Sequence, residues 1–200
     1  MRIGLTGGIG AGKSYISRLL TAECGIPVYD CDREAKRLMT TSPDIRQQLT
    51  ALVGDEAYLP DGQLNKRLLT DYLFANEEHQ SAVNAIVHPA VKADFKQWAA
   101  EQEQDGAPAV GIESAILVEA GFTDLADKVI VVEAPLALRL QRVMERDGAT
   151  EEQVRIRMAR QLSDERRRQA ADFIIQNDGR DIIGQLKQYT LSLIHSKHHA

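Results

Sequence analysis

Cysteine is scarce in this chain, and its spacing indicates neither a cross-link nor a zinc site. Among the 200 residues there are two cysteines, Cys24 and Cys31, on either side of Pro27. Disulfide frameworks need more cysteines than this, and zinc sites need paired short spacings that the sequence does not contain. We therefore expect two free thiols in a reducing compartment.

Long apolar runs and an excess of positive charge are also missing. No stretch reaches the roughly 18 apolar residues that span a bilayer. The apolar start is broken at once by glycines and Lys13, unlike a secretory signal. The formal net charge of −5 argues against a general nucleic-acid binder. We expect a cytoplasmic protein with one core, room for an inserted subdomain, no membrane or nucleic-acid partner, and no obligate protein partner.

Glycine, in contrast, is concentrated in the opening segment MRIGLTGGIGAGKS. Residues 3–6 form a short apolar run that predicts a buried strand, and the helical spacing of YISRLL follows the glycines. In that context Gly7-x-x-x-x-Gly12-Lys13-Ser14 is a P-loop, whose backbone N–H groups bind the phosphates of a nucleoside triphosphate. We expect Lys13 to reach the β- and γ-phosphates and the Ser14 hydroxyl to bind Mg²⁺.

A P-loop alone does not distinguish a kinase from a switch or a motor. A GTP switch would carry an Asn-Lys-x-Asp segment, and the nearest match, at residues 65–68, lacks the final carboxylate. Motors are usually larger than this chain. We therefore favour an enzyme that transfers a phosphoryl group.

Two carboxylates follow a second strand signal at residues 26–29, in the segment Asp30-Cys31-Asp32. Ligands of open α/β sheets bind beyond the carboxyl ends of the strands. One of these carboxylates can therefore accept the proton of an acceptor hydroxyl while the other orients the acceptor or a metal-bound water. Alternation predicts that both point the same way. Asp32 is equally consistent with the N-cap of a helix that begins near Arg33.

Arginine is concentrated late in the chain, with nine arginines and no lysine between residues 139 and 168. The guanidinium group binds phosphate oxygens through two parallel hydrogen bonds. Arg139, Arg142 and Arg146 have the spacing of one helix face. We predict phosphate contacts for Arg142 and Arg146, with Arg157 as a further candidate.

The same block predicts a helix–turn–helix. An Asp-Gly pair ends the first helix, and Thr150 and Gln153 have the spacing of a capping box that starts the second. Such a hairpin can close over bound nucleotide and exclude water, so we expect residues 139–168 to form a lid. The alternative is a solvated hairpin with ion pairs such as Glu151–Arg155.

Three more strand signals complete a pattern of strands alternating with helices, at residues 109–113, 128–133 and 172–176, before a last helix over 181–194. This alternation predicts an α/β fold, a P-loop NTPase with a five-stranded parallel sheet. Glu113, at the end of the third strand signal, is a candidate neighbour of magnesium.

About eighty residues separate the second and third strand signals, far more than a crossover needs. Their patterns are helical, over 45–53, 64–74 and 77–103, with an interruption expected at Pro89. We expect an insert over 36–106 that binds the acceptor, within a nucleotide core of 1–35 and 107–200. Arg67 and His88 are its candidate binding residues, although a histidine before proline is more often structural.

Eight segments together resemble, in order, the signature segments of the dephospho-coenzyme A kinase family over nearly the whole chain. They are GLTGGIGAGKS, VYDCD, LNKRLLTDYLF, VNAIVHPAV, ILVEAGF, RLQRVMERDGAT, RIRMARQ and ADFIIQNDG. The resemblance implies transfer of the ATP γ-phosphate to the 3′-hydroxyl of the dephospho-CoA ribose, with Mg²⁺ as cofactor. It also implies a nucleotide core, a helical CoA domain and a lid.

The resemblance and the motifs together define the expected site. Asp32, as base, acts with Lys13 and Arg142 as the catalytic residues, and Ser14 is the metal ligand. The expected nucleotide-binding residues are Gly8, Gly10, Ala11, Gly12, Lys13, Ser14, Tyr15, Arg142, Arg146 and Asn177. The expected acceptor-binding residues are Asp32, Arg67, His88 and Glu119.

Three positions depart from the family pattern. Tyr15 stands where threonine is common, and Cys31 where a small residue is typical. Glu113-Ser114-Ala115 replaces the frequent Asp-x-Pro, which leaves the magnesium role of Glu113 open. The alternatives are another small-molecule kinase, resembling shikimate or nucleoside monophosphate kinases, and a non-catalytic nucleotide-binding switch. The Gly-Gly-Gly acceptor segment of shikimate kinases is absent from the sequence.

Overall fold

The computed structural model describes residues 1–179 and 181–196. Its strands are β1 (Arg2–Thr6), β2 (Val28–Asp30), β3 (Val110–Glu113), β4 (Lys128–Glu133) and β5 (Phe173–Gln176). Its α-helices are α1 (Lys13–Cys24), α2 (Cys31–Thr41), α3 (Pro43–Val53), α4 (Lys66–Ala75), α5 (Glu77–Gln104), α6 (Leu136–Asp147), α7 (Glu151–Ala159), α8 (Asp164–Gln169) and α9 (Ile182–Ser196). Single 3₁₀ turns lie at Asp55–Ala57 and Thr123–Leu125.

The five strands form one sheet in the order β2–β3–β1–β4–β5, which confirms the predicted α/β fold. The central strand β1 pairs in parallel with β3 and β4, and Leu5 lies beside Glu113 on one side and Ile130 on the other. Because parallel strands end at the same edge, the residues that follow β1 and β3 lie close together. The P-loop and Glu113 therefore share this edge.

The core of the sheet forms where apolar side chains of β1 meet the helices. Ile3, Leu5 and Thr6 are fully buried, and because successive side chains point to opposite faces, the strand is covered on both faces. Ile16 and Leu20 of α1 and Leu186 of α9 belong to the same buried cluster. This packing fixes α1, and with it the loop that leads into the helix.

The chain divides into two compact units, residues 1–29 with 99–200, and residues 30–98. The first contains the sheet and the second is helical. The functions expected of the insert 36–106 and of the lid 139–168 stay predictions.

Local polar contacts order the helical unit. The Arg37 guanidinium donates to both carboxylate oxygens of Asp94, at 2.7 and 2.6 Å. The Tyr58 hydroxyl donates to the Met39 carbonyl at 2.7 Å, and the Arg46 guanidinium lies 4.2 Å from the centre of the Tyr58 ring. The first contact joins α2 to α5, and the other two bind the turn at Tyr58 to α2 and α3.

The predicted interruption at Pro89 is wrong, because α5 continues through it. Val83, Val87, Val91 and Phe95 are all buried and recur every four residues, on one face of the helix. Burying that face outweighs the cost of a proline inside a helix, about 3 kcal/mol.

The predicted helix–turn–helix is present in α6 and α7. Gly148 ends α6 in the left-handed conformation, and Thr150 and Gln153 form the expected capping box. The predicted Glu151–Arg155 pair is also present, at 2.7 Å. Closure of this hairpin over nucleotide stays a prediction.

Two smaller observations complete the fold. Cys24 and Cys31 are free thiols, as predicted. Over 1–179 and 181–196, no helix combines the length and apolarity needed to cross a bilayer.

Candidate functional site

The P-loop connects the end of β1 to the start of α1. Gly10 and Gly12 have φ angles of 79° and 92°, in the left-handed region that favours glycine. Gly12 is the N-cap of α1, and no side chain caps the helix there. No side-chain cap therefore competes with an anion at the positive end of the helix dipole.

Side chains from separate segments bind the backbone of this loop. The Lys13 ammonium donates to the Gly7 carbonyl at 2.9 Å, and the Asn177 amide donates to the Ala11 carbonyl at 2.8 Å. Ile9 is bound on both sides: its N–H donates to Gln161 at 2.8 Å, and its carbonyl accepts from Arg139 at 2.9 Å. The loop is thus preorganised by contacts that fix its backbone.

A buried carboxylate lies beside the predicted magnesium ligand. The Ser14 hydroxyl donates to one oxygen of Glu113 at 3.0 Å, and the Ser17 hydroxyl donates to the other. Glu113 is only 6% exposed. The pair offers hard oxygen donors next to the phosphate-binding loop, which is the donor chemistry that magnesium prefers.

The structure brings Arg142 to the loop but not Arg146. The Arg142 guanidinium donates to the Asn177 carbonyl at 3.2 Å and contacts the Gly10 carbonyl at 3.5 Å. Arg146 instead donates to Asp147, at 2.7 and 3.1 Å, and this hydrogen bond raises the pKa of Arg146. Arg157 donates to the same carboxylate at 2.8 Å.

Two buried arginines lie against the loop, and the sequence analysis predicted a phosphate contact for neither of them. Arg139 is 6% and Arg167 is 3% exposed. Asp164 accepts from Arg139 at 3.0 and 3.1 Å and from Arg167 at 2.5 Å. Burial pushes the pKa of Asp164 up, but the Arg167 hydrogen bond and the Arg139 charge outweigh it, so the pKa is lowered.

The sequence contains a signal for only one of these arginines. Arg139 lies one turn before Arg142 on the same face of α6, which indicates a shared environment. Arg167 is the middle member of a run of three arginines, and no pattern in that run distinguishes the buried one.

A family model described as dephospho-CoA kinase matches residues 1–182. The chain belongs to the dephospho-CoA kinase family.

Two curated relatives agree with this membership of the dephospho-CoA kinase family, and a solved structure shares the fold. A dephospho-CoA kinase from Bacteroides fragilis is 45% identical over 200 residues, covering 100% of this chain and 96% of the relative. One from Porphyromonas gingivalis is 47% identical over 169 residues, covering 84% and 80%. The crystal structure of TT1252 from Thermus thermophilus aligns with a TM-score of 0.80 at 31% identity, covering 98% of this chain and 97% of that one.

Asp30 and Asp32, the two aspartates predicted to lie beside the acceptor of a dephospho-CoA kinase, are not arranged as strand alternation predicts. β2 ends at Asp30, so strand alternation does not extend to Asp32 as predicted. Asp30, rather than Asp32, is the N-cap of α2, and its carboxylate accepts from the Arg33 N–H at 3.0 Å. Asp32 lies exposed in the first turn, where the helix dipole favours a carboxylate.

The remaining residues predicted to bind dephospho-CoA lie on different elements. The Arg67 side chain on α4 is 93% exposed and faces Asp71 at 4.0 Å. His88 on α5 is half-buried, and burial, assisted by the Lys92 charge, lowers its pKa. Glu119 lies outside the helical unit, where its carboxylate accepts from the Leu162 N–H at 3.2 Å. Their roles toward the acceptor stay predictions.

Proposed function

We propose that the chain transfers the γ-phosphate of ATP to the 3′-hydroxyl of the dephospho-CoA ribose, giving CoA and ADP, the last step of coenzyme A synthesis. The observation that supports this most is the family match over residues 1–182. The P-loop agrees with it, because Lys13 and Ser14 occupy their motif positions at the start of α1. Free thiols and the absence of a basic footprint favour a cytoplasmic enzyme that acts on a small molecule.

The nucleotide site in this proposal is the loop and its nearest polar neighbours. Backbone N–H groups of the loop and of the first turn of α1 donate to phosphate oxygens. Lys13 moves from the Gly7 carbonyl to the β- and γ-phosphates. Arg142 already contacts the Gly10 carbonyl and stabilises the charge of the transferring group. Asn177 keeps the Ala11 carbonyl fixed beneath the phosphates.

The residues around Ser14 fit Mg²⁺. Magnesium is usually bound by one or two protein oxygens, with water and substrate phosphates completing its shell. Bound magnesium would neutralise charge on the β- and γ-phosphates. Glu113 accepts a hydrogen bond from the Ser14 hydroxyl, which directs the lone pairs of the Ser14 oxygen toward the metal.

Glu113→Gln should weaken magnesium binding more than it weakens maximal turnover. The amide is neutral and holds the Ser14 hydroxyl less strongly than a carboxylate does. A residue that orients a metal ligand typically changes metal affinity by 10–100-fold, so we expect the magnesium concentration for half-maximal activity to rise by about tenfold. Titration of Mg²⁺ at saturating ATP and acceptor measures this.

Glu145→Gln is the matched control, because it removes the same charge from a side chain whose one hydrogen bond among the described residues comes from Gln141. Its magnesium dependence should equal that of the wild type. A Glu113→Gln protein with an unchanged magnesium titration would show that Glu113 has no role toward the metal.

At the acceptor, Asp32 is proposed as the base that accepts the proton of the 3′-hydroxyl. Arg67, His88 and Glu119 are proposed to bind dephospho-CoA. The lowered pKa keeps His88 neutral near pH 7, so this imidazole would donate or accept a hydrogen bond rather than pair with a phosphate charge.

The reaction is tested with purified protein, Mg·ATP and dephospho-CoA. ADP release should depend on the acceptor, and mass spectrometry should show one added phosphoryl group on it. Shikimate and nucleoside monophosphates serve as competing acceptors, and a reaction without acceptor measures hydrolysis. Phosphorylation of one of these instead of dephospho-CoA, or ADP release without a phosphorylated acceptor, would contradict the proposal.

A further inference from the structure

Arg167 is a buried cation with an unused donor. The residue is 3% exposed, and no atom of the described residues accepts a hydrogen bond from its Nη1. Burying an unsatisfied charged donor is unfavourable, and such a group in a native structure needs an explanation, a bound ion or a catalytic role among them. Arginine does not lose its charge to relieve the cost. The Nη1 atom therefore calls for an acceptor that the protein itself does not supply.

The guanidinium of Arg167 lies directly against the P-loop. A Cβ placed on Gly8 would be 2.9 Å from Arg167 Nη2 and 2.8 Å from the central carbon of the Arg139 guanidinium. Gly8 does not have a positive φ angle, so its backbone conformation does not demand glycine. It also occupies a position that the P-loop motif leaves open. A side chain at this position would displace at least one of the two guanidinium groups.

Charge balance around Arg167 favours an anion. Arg139 and Arg167 share a single carboxylate, Asp164, which leaves one positive charge in excess. Asp164 is bonded by both guanidinium groups, and the neighbouring Arg168 is paired with Glu133 at 2.6 Å. An additional anion beside Gly8 would neutralise the excess.

Resting on the function proposed above, we propose that Arg167 binds the terminal phosphate of ATP and stabilises it during transfer. The amides at the start of α1 serve the α- and β-phosphates. Arg142 and Asn177 lie at the Gly10–Gly12 part of the loop, whereas Arg167 lies at Gly8. A cation at this other part of the loop would contact the γ-phosphate, which follows the α- and β-phosphates in ATP. Arg139 and Asp164 position the Arg167 guanidinium. The guanidinium acts by its charge and its hydrogen bonds and stays protonated throughout the reaction.

The test compares Arg167→Met with Arg166→Met. Arg166 is the adjacent residue of α8, exposed and without a side-chain hydrogen bond among the described residues. We expect Arg167→Met to lower turnover by about 10²-fold and to weaken binding of the imido analogue of ATP by about tenfold. Its affinity for ADP, which lacks the terminal phosphate, should stay at the wild-type value. Arg166→Met should resemble the wild type throughout.

Equal losses of ADP and analogue affinity, or unchanged affinity for both together with unchanged turnover, would overturn the proposal. Arg167→Lys keeps the charge without the planar donor geometry and serves if the methionine variant does not fold. It should show the same selective loss, and affinities and turnover equal to the wild type would again overturn the proposal. The two binding measurements need no acceptor. They therefore remain decisive for Arg167 even if the wild type fails to phosphorylate dephospho-CoA, an outcome that would overturn the proposed function alone.

Discussion

Asp32→Asn is expected to abolish transfer to dephospho-CoA while leaving ATP affinity near the wild-type value. The amide cannot accept the proton of the 3′-hydroxyl, and loss of a general base typically lowers the rate by 10²–10⁴-fold, so we expect a loss on the order of 10³-fold in turnover. Asp32 is exposed in the first turn of α2 and supports no hydrogen bond within the described residues. The substitution should therefore leave the fold unchanged. Turnover measured with dephospho-CoA, beside ATP binding by calorimetry, tests both parts.

Asp30→Asn is the matched control for Asp32. It makes the same chemical change two residues away, where the side chain is the N-cap that accepts from the Arg33 N–H. Asparagine caps helices as well as aspartate does, so the start of α2 should persist. If Asp30→Asn removes turnover and Asp32→Asn does not, the base is Asp30. Equal loss of ATP binding and turnover in Asp32→Asn would contradict its role as a base.

Lys13→Met is expected to lower turnover by about 10³-fold, because it removes a donor whose charge is needed most when the γ-phosphoryl group is in transit. ATP affinity should fall as well, since the ammonium also contacts the bound β- and γ-phosphates. In the structure Lys13 donates to the Gly7 carbonyl across the loop, so the methionine variant also removes one restraint on the loop backbone. Steady-state turnover with acceptor, together with ATP and ADP affinities, measures the effect.

Lys13→Arg separates charge from position. Arginine preserves the charge but places it on a planar group too large for the same path to the phosphates. We expect Lys13→Arg to remain strongly impaired. Turnover close to that of the wild type would show that any cation at this position is sufficient and that the precise donor geometry of Lys13 is not needed.

The elements of the sheet were largely predictable because their signals are local. Each predicted strand is a short apolar run, and burial on both faces produces such runs in parallel sheets. The strand at Lys128–Glu133 has the bounds that the sequence indicates. The capping box at Thr150 was equally predictable, because it depends on two side chains three residues apart.

The surroundings of the loop were harder to predict, because they depend on contacts between distant residues. The Arg139 side chain donates a hydrogen bond to the Ile9 carbonyl, 130 residues away in sequence. Sequence spacing cannot predict a contact between residues so far apart. The misplacement of Asp32 has a more local cause. The strand before it ends at Asp30, two residues earlier than alternation required, and the first helical residue is Cys31. Element boundaries of this kind are set by which side chain caps the helix.

The strand order has a consequence for the way the protein folds during synthesis. β1 is made first, yet its two neighbours, β3 and β4, begin at Val110 and Lys128. Until these segments have left the ribosome, the first strand has no partner in the sheet. The glycine loop that follows it then lacks the paired strands that fix its position. Pairings between segments so far apart form slowly, because a long stretch of chain must first be closed. The loop after β1 therefore takes its final shape only after β3 and β4, which begin more than a hundred residues beyond the end of β1, have been translated.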